Sequence, residues 1–386
     1  MHGADPADIE AIEAFAAMHG LSALGVNAGA RTIVLSGPLR SLADALGVDM
    51  EGNVRIPECL EDKVIAVLGF DGRSTANSYH QQRKARTRWF FRNRRAHSFT
   101  PMEVAQAYQF PPNKGKNQTI ALIELGGGFK TADLSAYWKH MGVDNVETIA
   151  VSVDGAANQP TGDPSGPDGE VALDVEVAGA VAPEAHLAVY FAPNTDRGFL
   201  DALNAAIHDT VRKPSIISIS WGAPENQWTP QTLNAFNAAF QDAALLGITV
   251  CAASGDNGSS DGESDGAAHV DFPASSPWVL ACGGTRLIAK DNKIQSETAW
   301  NDQIGGATGG GVSAYFSKPS YQAAIPISGR GVPDVAGNAA DAQLRHGSSA
   351  PEEVHRLIFR HAELVDKLPG GDVGMRVRLD VGIDAD

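Results

Sequence analysis

Glu170 and Asp174 stand four residues apart in GPDGEVALDVEVAGAVAP, residues 166–183, a stretch otherwise rich enough in alanine and valine to be buried. On a helix that spacing puts both carboxylates on one face, one turn apart. Like charges so placed cost an isolated helix roughly 0.2–0.5 kcal/mol, and burial adds to the cost. Such a pair needs a use, and two close carboxylates that share one proton have one. Other acids and polar groups fall where apolar runs end. Glu124 closes TIALIEL before three glycines, Ser220, Trp221 and Gly222 follow SIISI, and Asp256 follows TVCAAS in SGDNGSSDG. Each has a plainer reading. Asp256 can be a turn residue, Trp221 a core residue, and Glu170 a first-turn charge answering the helix dipole. Asp174, one turn further in, is harder to explain that way. DGESDG (261–266) suits a solvated loop, and it lacks the EF-hand pattern for calcium. ELGGGF invites a nucleotide-loop reading, but the spacing is not GxGxxG and no Lys-Ser/Thr follows.

The elements that would hold these groups alternate. Strands are expected at 119–125, 147–153, 186–192, 215–221, 249–254 and 278–284, and helices at 131–141, 170–182, 198–208 and 230–246. Continuous apolar strands separated by helices predict a parallel sheet covered on both faces. In such sheets functional groups gather at the carboxyl ends of the strands, where Glu124, Ser220 and Asp256 would all lie. Upstream, residues 5–20 predict a helix stopped by Gly20. RTIVLSG, SLADALGV and KVIAVLGF then predict strand, helix and strand, an α+β unit that ends near residue 72 and begins mid-domain. Between 73 and 98 the chain turns polar and aperiodic, with seven Lys/Arg from Arg83 to Arg95, as a solvated, cleavable linker would.

Composition narrows the classes. The 386 residues suit two or three domains, and no apolar run reaches the 18 residues of a membrane span. The net charge of −16 is uneven: residues 1–96 hold 12 Lys/Arg against 11 Asp/Glu, and the remainder 18 against 35. That acidity argues against nucleic acid as a partner of the main body. Cys59, Cys251 and Cys282 have no metal-ligand spacing and offer no disulfide framework. The acidic start, MHGADPADIEAIEAF, has no signal core.

Five stretches together carry a resemblance: GPDGEVALDVEVAGAVAPEAHLAVYFAPNTD, SIISISWGAPE, ASGDNGSSDG, HVDFPASSPWVLACGGTRL and GRGVPDVAGNA. They resemble the sedolisins, the serine-carboxyl peptidases, from about residue 8 to 339. The resemblance implies a subtilisin-like α/β fold, preceded by a ferredoxin-like α+β propeptide that is N-terminally incomplete here. The division is then 1–72 propeptide, 73–98 linker with the processing site, 99–339 catalytic domain and 340–386 divergent tail. It implies a secreted monomeric endopeptidase that acts in acid on protein or peptide substrates and on its own propeptide, with no nucleic-acid or membrane partner. By the same resemblance Glu170 falls on the general base, Asp174 on the carboxylate behind it and Asp256 on the oxyanion-hole acid. Glu124 and Trp221 extend the hydrogen-bond chain, and Ser220–Gly222 form the substrate edge. The pair then has its use. A histidine base is protonated well below its ordinary pKa of about 6.5, whereas a glutamate backed by an aspartate still accepts a proton there.

The family's nucleophile, in GTSxxxP, has no counterpart in residues 340–386. GSSAP (347–351) imitates it, but comes too soon and sets proline too close to either serine. Ser349-Ala-Pro-Glu352 instead predicts a helix cap ahead of an amphipathic run through Leu368. The calcium ion that the resemblance implies has no matching segment either. Two alternatives stand beside the peptidase: an inactive relative that binds peptides along Ser220–Gly222, and a small-molecule binder using the glycines after Glu124.

Overall fold

A computed structural model describes residues 3–49, 53–78, 99–144, 146–302 and 306–340, with the short stretches 342–344, 353–355 and 375–380. The N-terminal unit begins with α1 (Pro6–Met18), capped by the Asp5 carboxylate on Ala7 N and followed by Gly20 at φ +69°. An antiparallel hairpin of β1 (Ser22–Asn27) and β2 (Thr32–Ser36) comes next, then α2 (Leu39–Ala45) and β3 (Val64–Leu68). Ile12, Phe15, Ile33, Leu35, Leu42 and Val67 close its own apolar cluster. Strand β1 was not expected, because all six of its residues are exposed and it shows no alternation.

After β4 (Asn77–Ser78) and α3 (Pro101–Ala107) the main body starts. In chain order it runs β5 (Thr119–Glu124), α4 (Thr131–His140), β6 (Thr148–Ser152), α5 (Pro167–Val181), β7 (His186–Phe191), α6 (Asp196–Ile207) and β8 (Ile216–Ile219). Then come β9 (Trp221–Pro224), α7 (Pro230–Leu245), β10 (Thr249–Ala253), β11 (Asp271–Phe272) and the hairpin of β12 (Leu280–Lys290) with β13 (Lys293–Ala299). β14 (Gly311–Ser317), β15 (Gly329–Val332) and β16 (Val335–Asn338) follow. The large sheet has the order β6-β7-β5-β8-β10-β12-β13, with β16 also on β12. Every pairing in it is parallel except β12 with β13.

Both faces of the sheet are covered, and the pleat sorts the side chains. Along β5, Ala121 and Ile123 join Phe199, Leu203, Phe236 and Phe240 from α6 and α7. Leu122 points the other way, among Tyr137, Trp138, Val171 and Val175 from α4 and α5. The chain runs outward from β5 to β6, returns to β7, and crosses to β8 on the opposite side. The direction reverses at β5, so a crevice is expected outside the carboxyl ends of β5 and β8.

Two expectations are corrected. SIISISW is not one strand: β8 ends at Ile219, and β9 leaves to pair antiparallel with β4 and β11. The second concerns the tail, where a helix after Ser349 was expected. Glu353–His355 is instead a strand, β18, antiparallel to β17 (Ala342–Leu344). A helix must first nucleate at a cost, and ladder bonds to β17 compete for the same backbone. The rest of that predicted helix, GSSAP itself and the basic stretch 79–98 lie outside the described residues. A last strand, β19 (Met375–Asp380), lies parallel between β2 and β3, completing a four-stranded N-terminal sheet.

The N-terminal unit docks on α7. Arg31, 1% exposed, pairs with the buried Asp242 and donates to Ala238 O at 3.2 Å. Gln231 bridges twice, accepting from Val67 N at 3.0 Å and donating to Val54 O at 2.8 Å. Removing one member of a buried ion pair leaves the other uncompensated, at about 3–5 kcal/mol. Arg31→Met is therefore expected to loosen this dock by that amount, read as faster amide exchange in β2 and β3 while β5 and β7 hold. Equal exchange in the parent and in Arg31→Met would deny the pair that role.

Candidate active site

The α5 helix starts with Pro167 at its first position, which needs no N–H there. It carries Glu170 and Asp174 on the face turned into the protein, 2% and 8% exposed. Ser220, in the gap between β8 and β9, donates its hydroxyl to Asp174 Oδ1 at 2.9 Å. The adjacent Trp221 donates its indole N–H to Glu124 Oε2 at 3.0 Å. At the break between β8 and β9, two consecutive side chains meet two buried acids, one from α5 and one from β5.

Burial sets the electrostatics. It pushes Asp174 up to about 7, against the hydrogen bond from Ser220, which lowers it. Glu124 is wholly buried and rises well above the ordinary carboxylate range, first through burial and then through the neighbouring Asp174 charge, with Trp221 opposing. The two acids therefore interact, and protonation of one favours ionisation of the other. Asp256 follows β10, one strand further along the same sheet edge, and is 6% exposed. Its carbonyl accepts from Ala307 N at 2.8 Å, and Gly255 O accepts from Gly309 N at 2.8 Å, so the loop is fixed by its backbone.

The glycines after Glu124 serve close approach. Gly127 sits at φ +68°, and a Cβ there would lie 2.7 Å from Asp168 N; one on Gly128 would lie 2.4 Å from Asn158 Oδ1. Gly128 N donates to Asp168 Oδ1 at 3.0 Å and Phe129 N to Asn158 Oδ1 at 2.8 Å. Those two amides are thereby committed within the protein. Asp168 also accepts from Thr161 N at 3.0 Å and Gly162 N at 2.7 Å, locking the loop over the start of α5. This positioning role was missed in the sequence, although an acid beside Pro167 in a first helical turn was the available signal.

The substrate edge proposed from sequence is occupied by the chain itself. Strand β4 lies antiparallel on β9, with Asn77 opposite Gly222 and Ser78 opposite Trp221. Among the described residues no group of three or more His, Cys, Asp or Glu gathers to hold a metal. Within DGESDG, Asp265 bonds His269 at 2.9 Å and accepts from Ala267 N at 2.9 Å, and Glu263 accepts from Gln227 Nε2 at 2.8 Å. The described residues do not fit a calcium ion.

A parallel sheet sheathed by helices, with buried acids and a side strand gathered at its carboxyl edge, defines a subtilisin-like α/β protein. Comparison with known proteins agrees: residues 155–375 match the Subtilase family. Kumamolisin of Bacillus sp. (strain MN-32) is 52% identical over 88% of this chain and 66% of its own length. Sedolisin of Pseudomonas sp. (strain 101) is 33% identical over 58% of this chain and 41% of its own. The solved structure of Pseudomonas sedolisin, a serine-carboxyl proteinase complexed with pseudo-iodotyrostatin, superposes with a TM-score of 0.56 at 31% identity, covering 64% of this chain and 72% of that one. This chain belongs to the subtilase family, as a kumamolisin-like member of its sedolisin branch. It spans about two thirds or less of the length of the curated relatives it matches. Among the described residues no helix is long and apolar enough to cross a membrane.

Proposed function

We propose that the chain is the precursor part of a secreted endopeptidase that hydrolyses peptide bonds in acid, with residues 1–72 as its propeptide, 73–98 as the processed linker and 99–339 as its catalytic body. Burial raises Asp174, which favours its protonated form in acid, and Glu170 is the general base. Glu170 takes the proton of the attacking hydroxyl, and Asp174 orients it and shares the proton. Asp256 donates from its protonated form to the oxyanion, which an acidic medium permits. Glu124 and Trp221 steady this unit from the sheet side, and Ser220–Gly222 align the peptide as an added strand. The reading is supported by one observation: Asp174, one turn along α5 from the buried Glu170, accepts from Ser220 beside an edge already holding a peptide strand.

The hydroxyl comes from the serine-bearing segment that the family resemblance supplies and that residues 340–386 do not reproduce. The 386-residue chain is therefore expected to leave casein intact from pH 3 to 7. A chimera in which the corresponding Bacillus kumamolisin segment replaces residues 340–386 is expected to cleave it at the acid end. Cleavage by the unaltered chain, abolished by Ser348→Ala or Ser349→Ala, would instead make GSSAP the nucleophile. A chimera that melts cooperatively yet cleaves nothing would favour a peptide-binding relative without turnover.

A further inference from the structure

Among the described residues, the strand lying on the β9 edge pairs with it through Asn77 and Ser78. The two residues before them are held by a single side chain from elsewhere. Thr75 N and Ala76 N both donate to Asn194 Oδ1, at 3.2 and 3.1 Å, and Asn194 Nδ2 donates to Ala76 O at 2.7 Å. One carboxamide thus offers what a neighbouring strand would, an acceptor and a donor side by side. Its own placement is tight. Ala192 N bonds to Glu124 O at 3.0 Å and Thr195 N to Pro193 O at 2.8 Å. A Cβ on Gly198 would lie 2.3 Å from Pro193 O, so a glycine there lets the first turn of α6 close against this bend.

We infer that Asn194 is a positioning residue that brackets the upstream end of a peptide strand on the β9 edge, reading its backbone and not its side chains. This rests on taking that edge as the peptide-binding edge of the proposed peptidase. Every bond to Asn194 from Thr75 and Ala76 is made by a main-chain atom. The bracket therefore accepts varied sequences and discriminates against proline at the two positions whose N–H it uses. The peptides it suits are extended segments with free amides at both.

The test is residue-resolved amide exchange on the full chain, which needs no turnover and so stands apart from the casein assay of the peptidase reading. Asn194→Leu is expected to speed exchange at Thr75 and Ala76 by about tenfold, the loss of one ordinary hydrogen bond each, with β5 and β7 unchanged. Asn194→Asp keeps an acceptor and is expected to restore both amides to within about threefold of the parent. Thr75→Val is expected to change neither, because its side chain is not what Asn194 contacts. Unchanged protection in Asn194→Leu overturns the inference. So does equal loss in the leucine and aspartate variants, or loss in Thr75→Val with Asn194 intact. If Asn194→Leu also releases β5 and β7, Ala76→Pro decides: it removes one N–H and leaves Asn194 in place. Protection of Thr75 that survives Ala76→Pro while Ala76 O stays bound to Asn194 Nδ2 supports the bracket, and its loss overturns it.

Discussion

Glu170→Gln in the serine-bearing chimera is expected to lower kcat by roughly 10⁴-fold, the scale on which removal of a triad member acts. Glutamine keeps the shape and hydrogen-bonding reach but cannot take the serine proton. KM should hardly move, because the β9 edge and its peptide contacts are untouched. Asp256→Asn is expected to cost less, about 10²–10³-fold, as the loss of one oxyanion donor does. A Glu170→Gln chimera with near-parental kcat and an unchanged melt would remove Glu170 from the chemistry, whatever the fold.

The second large effect is on stability, and acid should favour the folded chain. Burial raises Asp174 and Asp261 to about 7 and Asp196 to about 6, and raises Glu124 and Asp271 as well. An unfolded aspartate titrates near ~3.9. A group raised on folding adds stability that is complete below its unfolded pKa and lost as pH climbs through its folded one. These acids therefore stabilise the fold near pH 4 and progressively less toward pH 7. Asp209 runs the other way. Burial pushes it up, but hydrogen bonds from Arg212 and Tyr190 hold it down at about 2, so its contribution is lost only as pH falls toward that value. One pKa unit is about 1.4 kcal/mol, so a buried acid near 7 forfeits at most about 4 kcal/mol by neutrality. Calorimetry should find Tm about 10 °C higher at pH 4.5 than at pH 7.5, with a shallower slope in Asp174→Asn. A Tm that rises over that interval would contradict the assignment.

The sheet and helices were legible because each signal was local. TIALIE and HLAVYF are unbroken apolar runs, as strands buried on both faces must be, and PQTLNAFNAAFQDAAL has a helix start and one apolar stripe. What escaped had no local signature. β1 and β13 are exposed throughout, so apolar patterning could not mark them. The division of SIISISW depends on Asp174 and Glu124, 46 and 97 residues away from the groups that turn toward them. Asn194 lies in a plain loop stretch, APNTD, and its use is visible only once residue 76 is beside it. The acid pair was readable because helical spacing is itself short-range, whereas its hydroxyl partner Ser220 was legible only as an edge residue.

The dock on α7 has a consequence for how the two units stay together. With residues 73–98 intact, the N-terminal unit faces Arg31's partner at an effective concentration in the range of about millimolar, set by tether length and independent of dilution. If that tether is cut, the Arg31–Asp242 and Gln231 contacts are joined by β19, whose pairing with β2 and β3 still ties the unit to the rest of the chain. Release of the N-terminal unit after such a cut therefore also requires β19 to leave its place between β2 and β3. Two ends of one chain thus share a sheet, and a single cut between them frees neither.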